Sequence, residues 1–428
     1  MNIKEYPHGL LFESDLQDQI KDRFWHVDSD PTGGKRLFFE NAGGSLRLKS
    51  VNQAYQEADS FPDCDSRKHE RAKKLRKLTL NGFADLRVMF NAPKYGQIIA
   101  ETSSSKAMFT MVRTVLENVK GTNVIVTELD HPSAYDSVVY YARRNNMEVR
   151  VAQPDKKTGG ITPETIERLV DENTALLVCI YASNHTGAVM DMKEIVKRAR
   201  AKKTDLFIIS DAVQHIPHGL VDVQELELDG INFAAYKIYG CRGFGAAYIS
   251  DRLAKLDHPG IFGNLGDPWE IGGPAPAMYA AVSAIVDHVC WVGSQFIDSS
   301  DRRALYEEGM ERIEMHERAL LYRTLEGTKE VPGIRHIPNA NVEFDQESLE
   351  NRDFILPLTF TNMSCPDAVV EYVKRNIIVY DRSDSNYYSV RSLHPFDLEG
   401  IVRVSPLHCH STGDIDEFLK VTAEIAKL

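Results

Sequence analysis

Cysteine is scarce and scattered. The six residues Cys64, Cys179, Cys241, Cys290, Cys365 and Cys409 form no Cys-x-x-Cys pair in 428 positions. That excludes a zinc ribbon and a disulfide framework, and makes a reducing, cytoplasmic compartment the expectation. Basic residues are outnumbered, with 50 Lys plus Arg against 62 Asp plus Glu, a net charge of −12 and a pI near 5.7. Nucleic-acid binders normally carry a basic footprint, so no such partner is expected, although net acidity leaves room for a local pocket that holds one small anion. No apolar run approaches the ~20 residues needed to span a bilayer. The N-terminal MNIKEYPHGLLFESDLQDQ mixes charges among its apolar residues, unlike a signal peptide. No membrane partner is expected. Repeats and low-complexity tracts are also missing. So is a Gly-x-Gly-x-x-Gly fingerprint after the early strands, and Gly240-Cys241-Arg242-Gly243-Phe244-Gly245 precedes a strand instead of opening a helix, which argues against a dinucleotide-binding dehydrogenase.

What is present suits a globular protein with a sizeable core: 43% hydrophobic and 26% charged residues. At roughly 150 residues per domain, the length predicts two or three domains, or one large one with an appendage. The middle of the chain alternates two periods. Apolar runs at Gln97–Ala100, Asn123–Val126, Ala175–Tyr181, Leu206–Ser210, Ile231–Tyr236 and Gly245–Ile249 lack polar alternation, as strands covered on both faces do. Between them lie helical patterns at Ser105–Val119 and Lys193–Lys203, and Thr162-Pro163 reads as a helix start. This alternation predicts an α/β fold with a mostly parallel, doubly wound sheet. A long helical region from Ala275 to about Leu325 and a turn at Val331-Pro332-Gly333 lead into shorter elements: Ile355–Phe360, Pro366–Arg375, Ile377–Tyr380, Ile401–Ser405 and Asp414–Lys427. We expect an N-terminal arm over 1–36, a large domain over 37–290 and a smaller C-terminal α+β domain over 291–428, with the long helix bridging the last two.

Ligands of open α/β sheets gather at the carboxyl ends of the strands. The runs there end in Glu101-Thr102-Ser103-Ser104-Ser105, Glu128-Leu129-Asp130-His131, Ser183-Asn184-His185, Asp211 with Gln214 and His215, and Lys237. Singly, each has an ordinary explanation: serines cap helices, an Asp turns the chain, a His is hydrogen-bonded. Lys237 is different. It lies between Phe233-Ala234-Ala235-Tyr236 and Ile238-Tyr239-Gly240, poor surroundings for a solvated surface, and a desolvated lysine becomes nucleophilic toward carbonyls. A lysine for a Schiff base, an acid for a ring nitrogen and a serine-rich helix N-terminus for a phosphate are together what pyridoxal 5′-phosphate requires.

Ser210-Asp211-Ala212-Val213-Gln214-His215, with Lys237 following Asp211 by 26 residues, resembles the class V aminotransferases of PLP fold type I, and the cysteine desulfurase-like subfamily in particular. Phe39-Glu40-Asn41-Ala42-Gly43-Gly44, Leu129-Asp130-His131, Ala182-Ser183-Asn184, Asn386-Tyr387-Tyr388 and Val402-Arg403-Val404-Ser405 with His408 carry the likeness from about residue 37 to the C-terminus. The resemblance implies a PLP enzyme, a homodimer, acting on an amino acid. It assigns Lys237 to the Schiff base and to proton shuttling, Asp211 to the pyridinium nitrogen, and His131 to stacking on the ring. Gln214 and Asn184 fall near the phenolic oxygen, Ser104 and Ser105 at the phosphate, and Arg403, with Asn184, at the substrate α-carboxylate.

Two departures stand out. Ala234-Ala235-Tyr236-Lys237 replaces the family's Ser-x-His-Lys, leaving Tyr236 or Arg242 to compensate at the phosphate. Gly272-Gly273-Pro274 replaces a Gly-Thr-Pro that reaches across the dimer, so Gly273 offers only its amide. Residues near Lys237 do not choose among β-elimination, transamination and epimerisation, and a non-catalytic cofactor-binding protein is the rival of another class. We place first a β-eliminating C–S lyase acting on a cysteine-like substrate without a persulfide cysteine. The segment matching the family's sulfur-carrying loop, Val379 to Tyr388, contains no cysteine, and Ser385 falls near the expected position. Cys409 is the remaining small-domain thiol near the site and is expected to be structural. No metal is expected.

Overall fold

A computed structural model describes residues 3–62, 64–261, 269–383 and 385–428. Its centre is a seven-stranded sheet in the order Gln97–Glu101, Gly245–Ile249, Gly230–Ala234, Phe207–Asp211, Thr174–Ile180, Asn123–Thr127, Glu148–Ala152. Every pairing is parallel except those of Gly245–Ile249, which runs antiparallel to both neighbours. The sheet is therefore mostly parallel, as the strand–helix alternation of the sequence predicts. Strands Thr174–Ile180, Phe207–Asp211 and Gly230–Ala234 are buried at every residue, because helices cover both faces, and this is why their sequences read as unbroken apolar runs. The sequence pattern missed Glu148–Ala152. It lies at the sheet edge, where Glu148 and Arg150 alternate with valines and no apolar run forms. It missed the N-terminal hairpin Ile3–Tyr6/Gly9–Phe12 as well.

The long helical region is two helices, Pro276–Ser294 and Arg302–Glu326, broken where Asp301 caps the second by accepting from the amides of Arg303 and Ala304. The first spans the expected boundary at 290/291. It is also the one described helix long and apolar enough to cross a membrane, and 72% of its most apolar stretch is buried inside the protein. Our expectation that no apolar run approaches spanning length thus overlooks this helix, whose apolar run is interrupted by Ser283, Asp287 and His288. Helix Arg302–Glu326 divides its apolar side: Tyr306, Met310 and Ile313 join the core of the large domain, while Ala319, Leu320, Leu321 and Leu325 join that of the small one.

The small domain is a four-stranded antiparallel sheet in the order Ala340–Val342, Leu356–Phe360, Gly400–Val404, Tyr380–Ser383. The strand expected over Ile377–Tyr380 is split. Ile377–Ile378 pairs in parallel with Leu37–Phe38, and Tyr380–Ser383 joins the sheet. This split matters for function, because it draws the segment after Phe38 across the end of Gly400–Val404. There the Asn41 amide donates to the Ser405 carbonyl (3.2 Å) and the Ala42 amide to the Ser405 hydroxyl (2.9 Å).

The helix pair crosses closely at Gly309, where an added Cβ would collide with the carbonyl oxygen of Val289. A backbone oxygen cannot swing aside as a flexible side chain can. Gly309→Ala should therefore destabilise the fold by about 1–3 kcal/mol, more than the ~1 kcal/mol that alanine gains in helix propensity. A fall in the urea midpoint checks this; a rise would show that the crossing has slack.

Candidate active site

Strand Gly230–Ala234 ends in a single 3-10 turn, Ala235–Lys237, that delivers Lys237 to a cavity of about 280 Å3 at the carboxyl ends of the strands. Ser104, Ser105, His131, Asn184, Asp211, Gln214, Tyr236 and Lys237 all line it. Eight of the ten residues chosen from sequence are thus brought together, from five separate stretches of chain. The other two lie apart. Arg403 is fully buried just behind the cavity, joined to it by the hydrogen bond from its Nη1 to the Asn184 carbonyl (3.1 Å). Gly273 does not line this chain's cavity. Its amide and that of Gly272 instead donate to Glu270 Oε1, a local carboxylate that gathers the turn.

Burial governs the electrostatics. It pulls the Lys237 amine down to about 7; the guanidiniums of Arg403, Arg382 and Arg242 push the same way, and Glu40 opposes them. The amine donates to the Ala42 carbonyl. Asp211, the last residue of its strand, is raised to about 6 by burial, although the Val213 amide (3.1 Å) and the charge of Lys237 pull it down. His131 is lowered to about 4, first by burial and then by the cations around it, and so is a neutral ring at pH 7. It caps helix Pro132–Arg144 by accepting at Nδ1 from the Ser133 amide (3.2 Å). Behind these, Asp130 is wholly buried and raised to about 7, mainly by desolvation.

At the opposite end stands the N-terminus of helix Ser104–Asn118. Ser103 caps it by accepting from the Lys106 amide (3.2 Å), which leaves the first helical amides without intrahelical partners, as at any helix start. Gly245 lets the sheet approach so closely, since a Cβ there would strike the Ser104 nitrogen. Arg242 lines the same region, its guanidinium 4.3 Å from the Tyr236 ring centroid.

Sequence reasoning gave no role to three residues. Tyr388 donates to Asn184 Oδ1 (2.6 Å) and sets its ring edge-on to His131 at 5.6 Å, fixing both. Glu40 pairs with Arg403 Nη2. Arg382 lies beside Arg403 on the small-domain sheet. Glu40 and Tyr388 belong to segments quoted for the resemblance and Arg382 to the segment matched to the sulfur-carrying loop, but only packing reveals what they face.

Residues 37–418 match the family described as Aminotransferase class-V. The chain belongs to that family. Aminotransferase-like protein FGM3 of Gibberella zeae is 26% identical over 331 residues, 74% of this chain and 76% of that protein. A cysteine desulfurase of Wigglesworthia glossinidia brevipalpis is 22% identical over 413 residues, 91% and 93% of the two. Among solved structures, the cysteine desulfurase of Thermococcus onnurineus superposes with a TM-score of 0.80 at 18% identity over 100% of both chains. CsdA of Escherichia coli does so at 0.77 and 17%, over 96% of this chain and 98% of its own. These superpositions show a shared fold.

Members of the family are pyridoxal phosphate-dependent, and the chain is a PLP-dependent enzyme acting on an amino acid. The residues present fit the cofactor: a buried amine of lowered pKa, a buried carboxyl across the cavity from it, and a helix N-terminus with an added guanidinium suited to a phosphate. When bound, the cofactor supplies an electron sink for charge developing at the substrate Cα. Lys237 would hold it and Asp211 would keep its ring nitrogen protonated. Ser104, Ser105 and Arg242 would bind its phosphate.

Two outcomes follow from this electrostatics. Lys237 should load cofactor with a rate that rises as pH passes about 7, because only the deprotonated amine is nucleophilic. Lys237→Ala should fold and yield no borohydride-stable adduct; mass spectrometry of the reduced protein reads both. Asp211→Asn should keep most cofactor occupancy and lose at least a hundredfold in turnover, of the order of general acid–base effects (about 100–10,000-fold). Turnover near wild type would remove Asp211 from the ring nitrogen.

Proposed function

We propose that this enzyme is a β-eliminating C–S lyase, acting on a cysteine-like amino acid without forming a protein-bound persulfide. The observation that carries this reading is a cavity equipped with Lys237 and Asp211 in which no lining residue among the described ones is a cysteine. A persulfide carrier must be an accessible thiolate. In the small-domain segment Val379 to Tyr388 the Ser385 hydroxyl is engaged by that of Ser383 (2.9 Å); Asp384 lies outside the described residues. Cys409 is wholly buried, and burial pushes its thiol well above the ordinary range, contrary to what a sulfur acceptor needs.

In this reading Arg403 and the Asn184 side chain orient the substrate by its carboxylate, where a guanidinium fork matches the geometry. Lys237 removes the proton at Cα, and its lowered pKa makes it a base near neutrality. His131, neutral and held by Ser133, would present its flat face to the cofactor ring. A homodimer belongs to the proposal, supported by Gly272 and Gly273 lying outside this chain's own cavity. A reducing compartment does too, supported by six free cysteines. Transamination is the second reading, favoured by the aminotransferase-like name of FGM3.

Purified holoenzyme given a panel of amino acids should release keto acid, ammonia and sulfide in equal amounts from cysteine, and keto acid, ammonia and the corresponding thiol in equal amounts from an S-substituted relative. A persistent pyridoxamine spectrum without ammonia would make it a transaminase. Intact-protein mass spectrometry after cysteine treatment should show no added sulfur; an adduct of one sulfur mass that disappears in Cys409→Ser would make Cys409 the carrier.

A further inference from the structure

Tyr380 faces Arg403 across the antiparallel pair Tyr380–Ser383/Gly400–Val404, and Arg382 faces Ile401. Alternation along a strand therefore sets Tyr380, Arg382 and Arg403 on one face of the sheet. Both guanidiniums gather over the Tyr380 ring, Arg382 at 5.2 Å and Arg403 at 6.0 Å from its centroid. Two like charges this close, diagonal on one face, repel unless an anion lies between them. Glu40 supplies one negative charge, on Arg403. Arg382 has no acid partner among the described residues, and its Nε is buried without an acceptor, as is the Nε of Arg403. The neighbouring acid, Asp381, accepts instead from the Ser383 hydroxyl (3.0 Å). Among the described residues, two cations thus share one carboxylate, and that set is one anion short.

The position of Glu40 explains what the missing anion is. Its carboxylate engages the same guanidinium that the proposed function assigns to the substrate carboxylate. It stands on the segment that crosses the end of Gly400–Val404, pinned through Asn41 and Ala42 to Ser405. The segment is fixed while the side chain, 17% exposed, extends from it. We propose that Glu40 is an internal occupant of the carboxylate clamp, displaced from Arg403 onto Arg382 when a substrate carboxylate binds. The exchange keeps each cation paired: the incoming carboxylate takes Arg403, and Glu40 takes Arg382, within whose electrostatic reach it already lies. An amine lacking a carboxylate leaves the exchange undone. The pair thereby selects α-amino acids over simple amines, because an amine offers nothing to replace Glu40 and would have to leave it in place beside Lys237. This rests on the assignment of Arg403 to the substrate carboxylate.

The test uses holoenzyme and two probes. One is 2-aminoisobutyrate, which has no α-proton and is followed through the visible absorbance of the cofactor. The other is propanoate, which has a carboxylate and no amine and is followed by calorimetry. Glu40→Gln removes the internal competitor and should bind both at least about tenfold tighter, a change worth about 1.4 kcal/mol. Arg382→Leu leaves the displaced Glu40 without a partner and should bind both at least about tenfold more weakly. In the double variant Arg382 has nothing to receive, so binding should return to near the level of Glu40→Gln; that non-additivity is the signature of the exchange. Equal or weaker binding by Glu40→Gln would overturn the displacement, and additive effects in the double variant would overturn the role of Arg382. Should Glu40→Gln fail to fold, Glu40→Asp keeps the charge on a shorter arm and must also bind more tightly than wild type. Absence of any absorbance response in wild type would fail the proposed function itself, while propanoate would still report on the clamp.

Discussion

Removing an ammonium from water costs several kcal/mol unless the protein repays it, and much of this site follows from where that cost is allowed to fall. Lys237 is desolvated at the end of a buried strand and surrounded by more cations than anions, so its amine is neutral over part of the physiological range. The same dry setting raises Asp211 and lowers His131. Each group is thereby biased to its uncharged form until a charged ligand enters. A cavity of this kind stores a preference: it favours a molecule that brings its own charges in complementary places, a phosphate at one end and a carboxylate at the other.

Separate parts of the fold meet to make that cavity. The parallel sheet delivers Asp211 and Lys237 at the ends of adjacent strands. The helix starts at Ser104 and Pro132 deliver hydroxyls, amides and His131. Behind the cavity the small domain places Arg403, Arg382 and Tyr388, the last reaching Asn184 directly. The segment Phe39 to Gly44 lies between the two domains and touches both charged ends of the machinery: Glu40 at Arg403 and the Ala42 carbonyl at Lys237. A change of conformation in those few residues would act on the arginine and the lysine together.

Much of this is legible in sequence for a definite reason. Strands covered on both faces must be apolar throughout, so the central strands declare themselves, and residues just past their ends are necessarily near the site. Edge strand Glu148–Ala152 escapes because half-exposure removes that signal. Glu40 and Arg382 escape for another reason. Nothing local separates an acid that faces a buried arginine from an acid that faces water; the difference arises only when residues 363 positions apart are brought into contact. Gly273 shows the converse limit, since the motif match that singled it out places it at the site, while in the fold its amide donates to Glu270.

Helix Arg302–Glu326 gives its first half to one hydrophobic core and its second half to the other. Neither core is complete without it. Melting either half of this helix would strip apolar cover from one core and remove the anchor of the helix in the other, which couples the opening of the two domains. For the enzyme this means that the arginine side of the cavity cannot drift away as an independently loosened module: the spacing between Arg403 and Lys237 is held for as long as the whole chain remains native.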